Sequence, residues 1–434
     1  MRFNNLPDWL RWQESSHKAA IDLGLERISQ VASRMGLLQT RATVITVAGT
    51  NGKGTCVCAL QALVLASGKT CGAFTSPHIQ RYNERIRINS QEVSNAQLCE
   101  AFDVIDQARG NISLTYFEFG TLAALYLFSA ENLDYWLLEV GLGGRLDASN
   151  VIDSDLAIVT SIDLDHMDWL GDNREAIGRE KAGVFRAGRH AVCADPQPPQ
   201  SLLDHAKQLE CSLSLYGRDF GFKGVSQGSH SHKTSDLEQN VIFWSSENES
   251  EPVETHLPNY SLAAAFHAAH LLKLPMPSRA EVKDLFGHLS LAGRLQSNQV
   301  GDKTILLDVA HNPAAMAYLA SRLASSEFSA PVAAVVAMMA DKNITQSLEF
   351  LLPIVDDWGL TTIVDCPRAA TVDVLYDVLP STCSKQQFRS VKQALDVFMQ
   401  DENIGAILVT GSFYTVTEAQ CWIDEFGKGH EAVG

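Results

Sequence analysis

The sequence predicts an α/β protein of two doubly wound domains, the first carrying a small β-rich appendage. Three observations carry that prediction. Apolar, β-branched runs alternate with helical patterns along most of the 434 residues, as expected of parallel sheets buried on both faces. A Gly-rich turn at 49–55 joins a strand pattern to a helix pattern. The alternation is interrupted between 213 and 257, then restarts after 301.

The elements follow in order. Residues 6–38 are mostly helical in pattern. A strand at 42–47 (ATVITV) leads through the Gly-rich turn to an apolar helix at 55–66 and a strand at 70–75. Helices at 95–108 and 117–130 flank a strand at 135–140, and further strands are expected at 156–161 and 191–194. From 213 to 257 short strands alternate with polar stretches such as 226–236 (SQGSHSHKTSD), which predicts the appendage and a mobile loop. His230 and His232 in that stretch read as solvated residues. Helices resume at 260–272 and 279–289. Residues 290–301 (SLAGRLQSNQVG) read as a linker, so the domains are expected at 1–289 and 302–434. The second alternation places strands at 304–308, 332–338, 360–365 and 406–410, with helices at 313–324, 344–352, 371–379 and 416–426. That is a second domain of ordinary size.

Composition narrows the class. The chain is long enough to bury real cores without disulfide or metal staples. It carries 34 basic and 51 acidic residues, a net charge of −17. This argues against a nucleic-acid partner, which calls for a basic surface. Nine cysteines in so long a chain include no C-x-x-C pair and suit a reducing compartment. The first twelve residues have no apolar core of a signal peptide. No apolar run reaches transmembrane length. These readings predict an acidic, cytoplasmic protein with no membrane partner.

The loop at 49–55 (GTNGKGT) is the strongest chemical signal. A strand–loop–helix turn of this kind points several backbone N–H groups at an anion, and the helix N-terminus adds partial positive charge. Lys53 is suited to terminal phosphates, and Thr55 to a Mg²⁺ ion. The spacing departs from G-x-x-x-x-G-K-[ST], because two residues separate Gly49 from Gly52-Lys53 and Gly54 precedes Thr55. Gly141, Gly143 and Gly144 after a strand weakly suggest a dinucleotide fingerprint, but the sixth position is Leu146. Cys56 and Cys58 read as packing residues.

The loop resembles the ATP loop of the Mur-ligase superfamily. Further segments resemble folylpolyglutamate synthases: 75–78 (TSPH), 81–85 (RYNER), 115–118 (TYFE), 138–148 (LEVGLGGRLDA), 165–170 (DHMDWL), 178–183 (GREKAG) and 307–313 (LDVAHNP). The likeness runs from Ile21 to about Thr415. With 21–27 (IDLGLER) and 114–118 (LTYFE), it points to the bifunctional dihydrofolate synthase/folylpolyglutamate synthase type. The resemblance implies a P-loop ATPase domain of Mur-ligase type followed by a Rossmann-like domain. It implies ATP-dependent addition of L-glutamate to dihydropteroate and to the γ-carboxylate of reduced folates, through an acyl phosphate. It also implies a monomer, and candidate ATP contacts on both sides of the linker lead to the expectation that the two domains close on ATP.

The family's positions carry over residue by residue. ATP contacts match Asn51, Gly52, Lys53, Gly54, Thr55, Asn259, Arg294, Asp308 and His311. Magnesium ligands match Thr55, Ser76, Glu139 and His166. Lys181 matches the lysine that the family carries as a carbamate, N6-carboxylysine, which turns a cation into a metal ligand. Lys53, His166 and Lys181 are therefore the expected catalytic residues. The pterin or folate site matches Asp22, Leu23, Gly24, Leu25, Glu26, Thr115, Tyr116, Phe117, Glu118, Leu146, Asp147 and Ala148. Phe117 is placed to stack on the pterin and Glu118 to pair with its ring donors. Core packing and a helix N-terminal carboxylate are the plainer readings of these two. Asp308, His311 and Ser412 match glutamate contacts, although Ser412 reads equally well as a helix cap, and Asn259 shares that alternative. His166 has the alternative of a core histidine bonded to a carbonyl. Rival functions are a folylpolyglutamate synthase without the dihydropteroate activity, a ligase of muramoyl peptides, a P-loop NTPase that forms no amide and, from the weak Gly141 pattern alone, a nicotinamide dehydrogenase.

Overall fold

The computed structural model describes residues 1–225, 240–246, 248–324 and 331–431, with side chains described up to residue 426. The polar stretch at 226–236, with His230 and His232, lies outside the described residues. Contacts divide the chain into two units, Met1–Leu289 and Ser290–Gly434.

The first unit opens with α1 (Leu6–Ser15) and α2 (Glu26–Arg34). Asn5 caps α1, its side chain accepting from the Asp8 N–H at 2.9 Å. The single helical run expected at 6–38 is therefore two helices around an irregular stretch. Gly24 adopts φ +153° there, which no α-helix permits. β1 (Thr43–Ala48), α3 (Lys53–Ala66) and β2 (Cys71–Phe74) follow, then the short strands β3 (Ile86–Ile88) and β4 (Gln91–Glu92). Next come α4 (Asn95–Arg109), α5 (Tyr116–Ala130), β5 (Tyr135–Glu139) and β6 (Leu156–Val159). The short α6 (Met167–Leu170), α7 (Arg174–Ala182), β7 (His190–Cys193), α8 (Gln200–Gln208) and β8 (Ser212–Leu215) complete the main layer. Serine and threonine caps start α4 and α5 with reciprocal capping boxes, Ser94 with Gln97 and Thr115 with Glu118.

Eight strands form one sheet in the order β4-β3-β2-β5-β1-β6-β7-β8. The six from β2 to β8 are parallel, and β3 and β4 add antiparallel. β1 lies between β5 and β6, with β2 on one side of it and β7 on the other. The order reverses there, and ligands of open parallel sheets bind outside the carboxyl ends at such a switch point. One core cluster packs α1, α2, α4 and α5 around Trp9, Phe102, Phe119 and Phe128. A second packs α7 and α8 around Ile177 and Leu202.

The appendage is β9 (Phe220–Gly224), β10 (Asn240–Ser245), β11 (Asn248–Glu249) and β12 (Val253–Glu254), followed by α9 (Asn259–Leu271) and α10 (Arg279–Gly287). It begins later than the expected 213. β8 belongs to the main sheet, where it pairs in parallel with β7. His267 of α9 stacks on Phe220 at 4.7 Å and meets Ser245 Oγ at 2.8 Å, which pins the appendage to the helix.

The second unit contains β13 (Gln296–Val300), β14 (Lys303–Leu307), α11 (Pro313–Ala324), β15 (Val332–Val336), α12 (Ile344–Glu349) and β16 (Asp357–Leu360). It continues with α13 (Val372–Val378), β17 (Ser384–Gln387), α14 (Val391–Gln400), β18 (Ala406–Thr410) and α15 (Phe413–Glu431). Its six strands run β13-β14-β18-β15-β16-β17, all parallel except β13. Two expectations are corrected. Much of the linker expected at 290–301 is the edge strand β13, which pairs antiparallel with β14 through a two-residue turn at Gly301, φ +60°. A polar strand of sequence QSNQV has one solvent-facing edge and reads like a linker. The strand expected at 360–365 lies at 357–360, where its pairing with β15 and β17 ends, and Asp365, at φ +56°, is outside the extended region.

Candidate active site

The loop after β1 is held by the segment that follows β6. Thr50 N–H donates to Ser161 O at 2.8 Å and Asn51 N–H to Ser161 Oγ at 2.9 Å. The Asn51 carbonyl accepts from Thr160 Oγ1 at 2.7 Å. Gly52 sits at φ +79° as the residue before α3 and supplies no side-chain cap. The amides of the first turn of α3 therefore face the loop as donors for an anion. A Cβ at Gly52 would lie 2.1 Å from Ser261 Oγ, and one at Gly49 1.9 Å from Thr160 Oγ1. Both glycines are required by close approach, and the first brings the start of α9, with buried Asn259, beside the loop. Lys53 Nζ folds back on the loop and donates to the carbonyls of Gly49 at 3.0 Å and Thr50 at 3.2 Å.

The residues expected to hold a metal come from four elements. Thr55, in the first turn of α3, is buried, and its Oγ1 has no hydrogen-bond partner among the described residues. Glu139, at the carboxyl end of β5, is buried, and its Oε2 accepts from the Ser76 N–H at 3.1 Å. Burial, and then the Glu139 charge, push the Cys56 thiol up, which places that carboxylate beside α3. An orphaned buried hydroxyl near a buried carboxylate fits a hard divalent cation. His166 starts α6 at φ +53°, and its N–H donates to Asp165 Oδ1 at 2.8 Å. Among the described residues no three His, Cys, Asp or Glu side chains close into a metal cluster. A metal here needs hydroxyl donors and a further anionic group.

Lys181 on α7 could become that group. It is buried, and its pKa is lowered to about 7, first by desolvation and then by the Lys53 charge, with Asp165 and Asp147 opposing. An ammonium that has lost its preference for the proton is a nucleophilic amine at neutral pH. The approach of α7 depends on Gly144, where a Cβ would lie 2.7 Å from the Glu180 carbonyl. The three glycines of the weak dinucleotide pattern thus sit in a turn that packs against α7 and other side chains.

The expected acid-substrate segments also meet in the first unit. Gly24 N–H donates to the Leu146 carbonyl at 3.2 Å. Asp22 Oδ2 is 2.9 Å from His17 Nε2 and 3.0 Å from Arg27 Nη1. The Arg27 Nε lies 3.3 Å from Glu118 Oε1. Glu118 matches its plainer reading as a helix N-terminal carboxylate. Its Oε2 accepts from the Thr115 N–H at 2.8 Å in the capping box, and its other oxygen faces Arg27. Phe117 packs on Phe74 at 5.5 Å, its ring 2.6 Å from where a Gly141 Cβ would be. Tyr116 lies 5.5 Å from Tyr82. Asp147 is buried, and burial raises its pKa. Its oxygens accept from the N–H groups of Leu142 and Ser149 at 2.8 and 2.9 Å, so it shapes the turn before Ala148. Leu23 and Leu25 are half-buried and Glu26 is exposed. Sequence reasoning missed His17, Arg27 and Asp165. The first two lie five residues either side of Asp22, a spacing that could have drawn attention to them.

In the second unit, Asp308 follows β14, and burial raises its pKa against the Arg294 charge. Its two oxygens accept from Leu295 N–H at 2.9 Å and Ala310 N–H at 2.8 Å. Arg294 lies over the Phe413 ring at 5.5 Å, and His311 Nδ1 meets the Val309 carbonyl at 2.8 Å. The unit thus gathers Arg294, Asp308 and His311 at the carboxyl end of its sheet. Ser412, two residues past β18, lies at the same end. Its Oγ accepts from the Thr415 N–H at 3.0 Å and meets Thr415 Oγ1 at 2.6 Å, so it caps α15.

A phosphate loop at the switch point of one parallel sheet, with a second α/β unit after it, is the architecture of the Mur-type amide ligases. Residues 47–269 match the Mur ligase middle domain and residues 293–413 the Mur ligase, glutamate ligase domain. Within that class the chain belongs to the dihydrofolate synthase/folylpolyglutamate synthase family. It is 41% identical over 425 residues to the Escherichia coli (strain K12) member, covering 98% of this chain and 97% of that one. The solved structure of E. coli FolC in complex with DHPP and ADP superposes with a TM-score of 0.89 at 40% identity, covering 97% and 98% of the two chains. A bifunctional folylpolyglutamate synthase/dihydrofolate synthase with Mn, AMPPNP and L-glutamate bound superposes with a TM-score of 0.86 at 41% identity, covering 96% and 98%. The chain is a ligase that forms carbon–nitrogen bonds. No helix among the described residues is long and apolar enough to cross a membrane.

Proposed function

We propose that this ligase adds L-glutamate to dihydropteroate, making dihydrofolate, and to the γ-carboxylate of reduced folates, making folylpolyglutamates. The observation that carries the reading is the uncapped loop before α3 with the buried, unpartnered Thr55 hydroxyl beside it. A carboxylate is a poor electrophile until one of its oxygens is phosphorylated. The acid attacks the γ-phosphorus of ATP, ADP leaves, and an acyl phosphate forms. The glutamate amine then attacks the acyl carbon, inorganic phosphate departs, the nitrogen loses a proton, and an amide results.

Each residue has a task in that sequence. The amides of Asn51 to Thr55 bind phosphate oxygens, and Lys53 exchanges the loop carbonyls for them. Thr55, Glu139 and carboxylated Lys181, with Ser76 and His166, would hold Mg²⁺, which offsets the charge of the transferring phosphoryl group. The neutral Lys181 amine takes up CO₂ and releases a proton to become a carbamate. Asn259, Arg294, Asp308 and His311 contact the nucleotide, and Asp308 and His311 also serve the incoming glutamate. The segments 22–26, 115–118 and 146–148 receive the pterin. The other partners are small molecules, with no nucleic acid or membrane. The protein acts as a cytoplasmic monomer.

The test is ADP release with Mg·ATP and L-glutamate plus either dihydropteroate or tetrahydrofolate, with product masses measured. Turnover of both acids is expected. Turnover of tetrahydrofolate alone would remove the dihydropteroate activity, and ADP release without glutamate or either acid would replace the ligase reading with an NTPase.

A further inference from the structure

The irregular stretch between α1 and α2 is tied at both ends. At one end, Gly24 N–H reaches Leu146 O. At the other, the imidazole of His17 spans two segments nearly a hundred residues apart in sequence. His17 Nε2 is 2.9 Å from Asp22 Oδ2, and Nδ1 is 2.9 Å from Ser113 Oγ. Its neighbour Ser16 donates from Oγ to the Leu114 carbonyl at 3.1 Å. The His17 side chain is only 5% exposed, whereas Asp22 remains 31% exposed. A nearly buried imidazole with both nitrogens engaged is a fixed strut, and the group it steadies still faces solvent.

We propose that His17 is a positioning residue for dihydropteroate: it bridges Asp22 to Ser113 and so holds residues 22–26 against the start of α5. The inference rests on the reading that these segments receive the pterin. Asp22 accepts as a carboxylate, so the Nε2 of His17 carries the hydrogen. That bond comes first among the influences that hold the Asp22 carboxyl below its usual range, with burial opposing and the Arg27 charge assisting. Without the bridge, the stretch must be ordered when substrate binds, and the ordering cost falls on the Michaelis constant of the acid that uses this wall. The bonds of the His17 ring go to Asp22 and Ser113, both outside the phosphate loop and α7, so the chemical step is spared.

The experiment measures KM and kcat for dihydropteroate, tetrahydrofolate, ATP and glutamate in wild type, His17→Ala, Ser113→Ala and the double variant. His17→Ala is expected to raise KM for the two pterin acids, dihydropteroate at least tenfold and tetrahydrofolate with it, with kcat and the constants for ATP and glutamate within about twofold. Ser113→Ala, a milder change that keeps the Asp22 bond, gives a smaller rise. The double variant is no worse than His17→Ala, because both changes cut one bridge. His17→Gln, which keeps a donor for Asp22, recovers part of the loss. An unchanged dihydropteroate KM in His17→Ala overturns the proposal, as does an equal rise for all four substrates. If wild type itself fails to turn over dihydropteroate, the functional reading falls and this inference with it. Wild-type turnover with an unaltered variant sinks the inference alone.

Discussion

Replacing Lys181 with methionine should make the first unit more stable while removing activity. The lysine is buried, and its pKa falls from 10.5 to about 7. Below pH 7 the amine is charged in both folded and unfolded chains, and the folded chain bears the full desolvation cost. As pH rises from 7 to 10.5 the unfolded chain alone keeps the proton, and stability is regained. Linkage puts the cost on the order of 4 kcal/mol at pH 7 and about 2 kcal/mol at pH 9. Methionine is unbranched, of similar length, and needs no proton. A unit of 289 residues unfolds with roughly 0.6 kcal/mol/K of entropy, so the variant should melt roughly 5 to 8 °C higher at pH 7. The gap should halve by pH 9. Calorimetry in CO₂-free buffer with EDTA reads this directly, since carboxylation and metal binding would both mask it. A variant that melts at or below wild type at pH 7, or a gap that does not shrink with pH, would refute the reasoning. Loss of turnover alongside the gain in stability marks a group kept for chemistry at the expense of the fold.

Lys53→Ala should lower ADP formation at least a hundredfold with an unchanged melting temperature, and near-normal turnover would remove its phosphate role. Gly52→Ala should lose ATP turnover and stability, since its Cβ falls 2.1 Å from Ser261 Oγ at φ +79°. Adding Ser261→Ala should recover part of the stability but leave about 1 kcal/mol of left-handed strain, as read by thermal melts. Ser412→Ala should cost about 1 kcal/mol by removing the α15 cap; an unchanged KM for glutamate would leave it a cap alone, and a raised KM would give it the substrate role as well. Asp308→Asn should cost about 1–3 kcal/mol and lose turnover. An amide offers one accepting oxygen to the two N–H groups of Leu295 and Ala310, which a denaturation curve and a steady-state assay report together.

Much of this was legible in the residues. The runs around ATVITV and the second alternation predicted the central strands because buried parallel strands are continuously apolar. β13 and β17 were missed for the opposite reason. QSNQV and SKQQ are polar edge strands whose pairing is set by neighbours distant in sequence. The phosphate loop could be read because glycines at fixed spacing have few other uses. The Thr115–Glu118 motif was visible, yet nothing local distinguishes a carboxylate that caps a helix from one that meets a ligand. The structure shows it capping. The lowered pKa of Lys181 was beyond sequence reasoning, because it comes from burial and from Lys53, 128 positions earlier.

The position of β1 between β5 and β6 also bears on how the chain is made. Ala48 pairs with Val159, roughly 110 residues later. At about 5–20 residues per second, a ribosome needs about 6 to 20 seconds to deliver that partner. For most of that interval, until β5 arrives about 90 residues after β1, an apolar strand and the apolar helix α3 have emerged with no sheet to enter. The phosphate loop between them cannot take shape until the sheet closes. The loop's bonds to Thr160 and Ser161 should therefore form abruptly during synthesis, soon after β6 clears the exit tunnel and ahead of the later residues proposed to contact nucleotide. Until then the nascent chain is a client for whatever shields exposed hydrophobic segments.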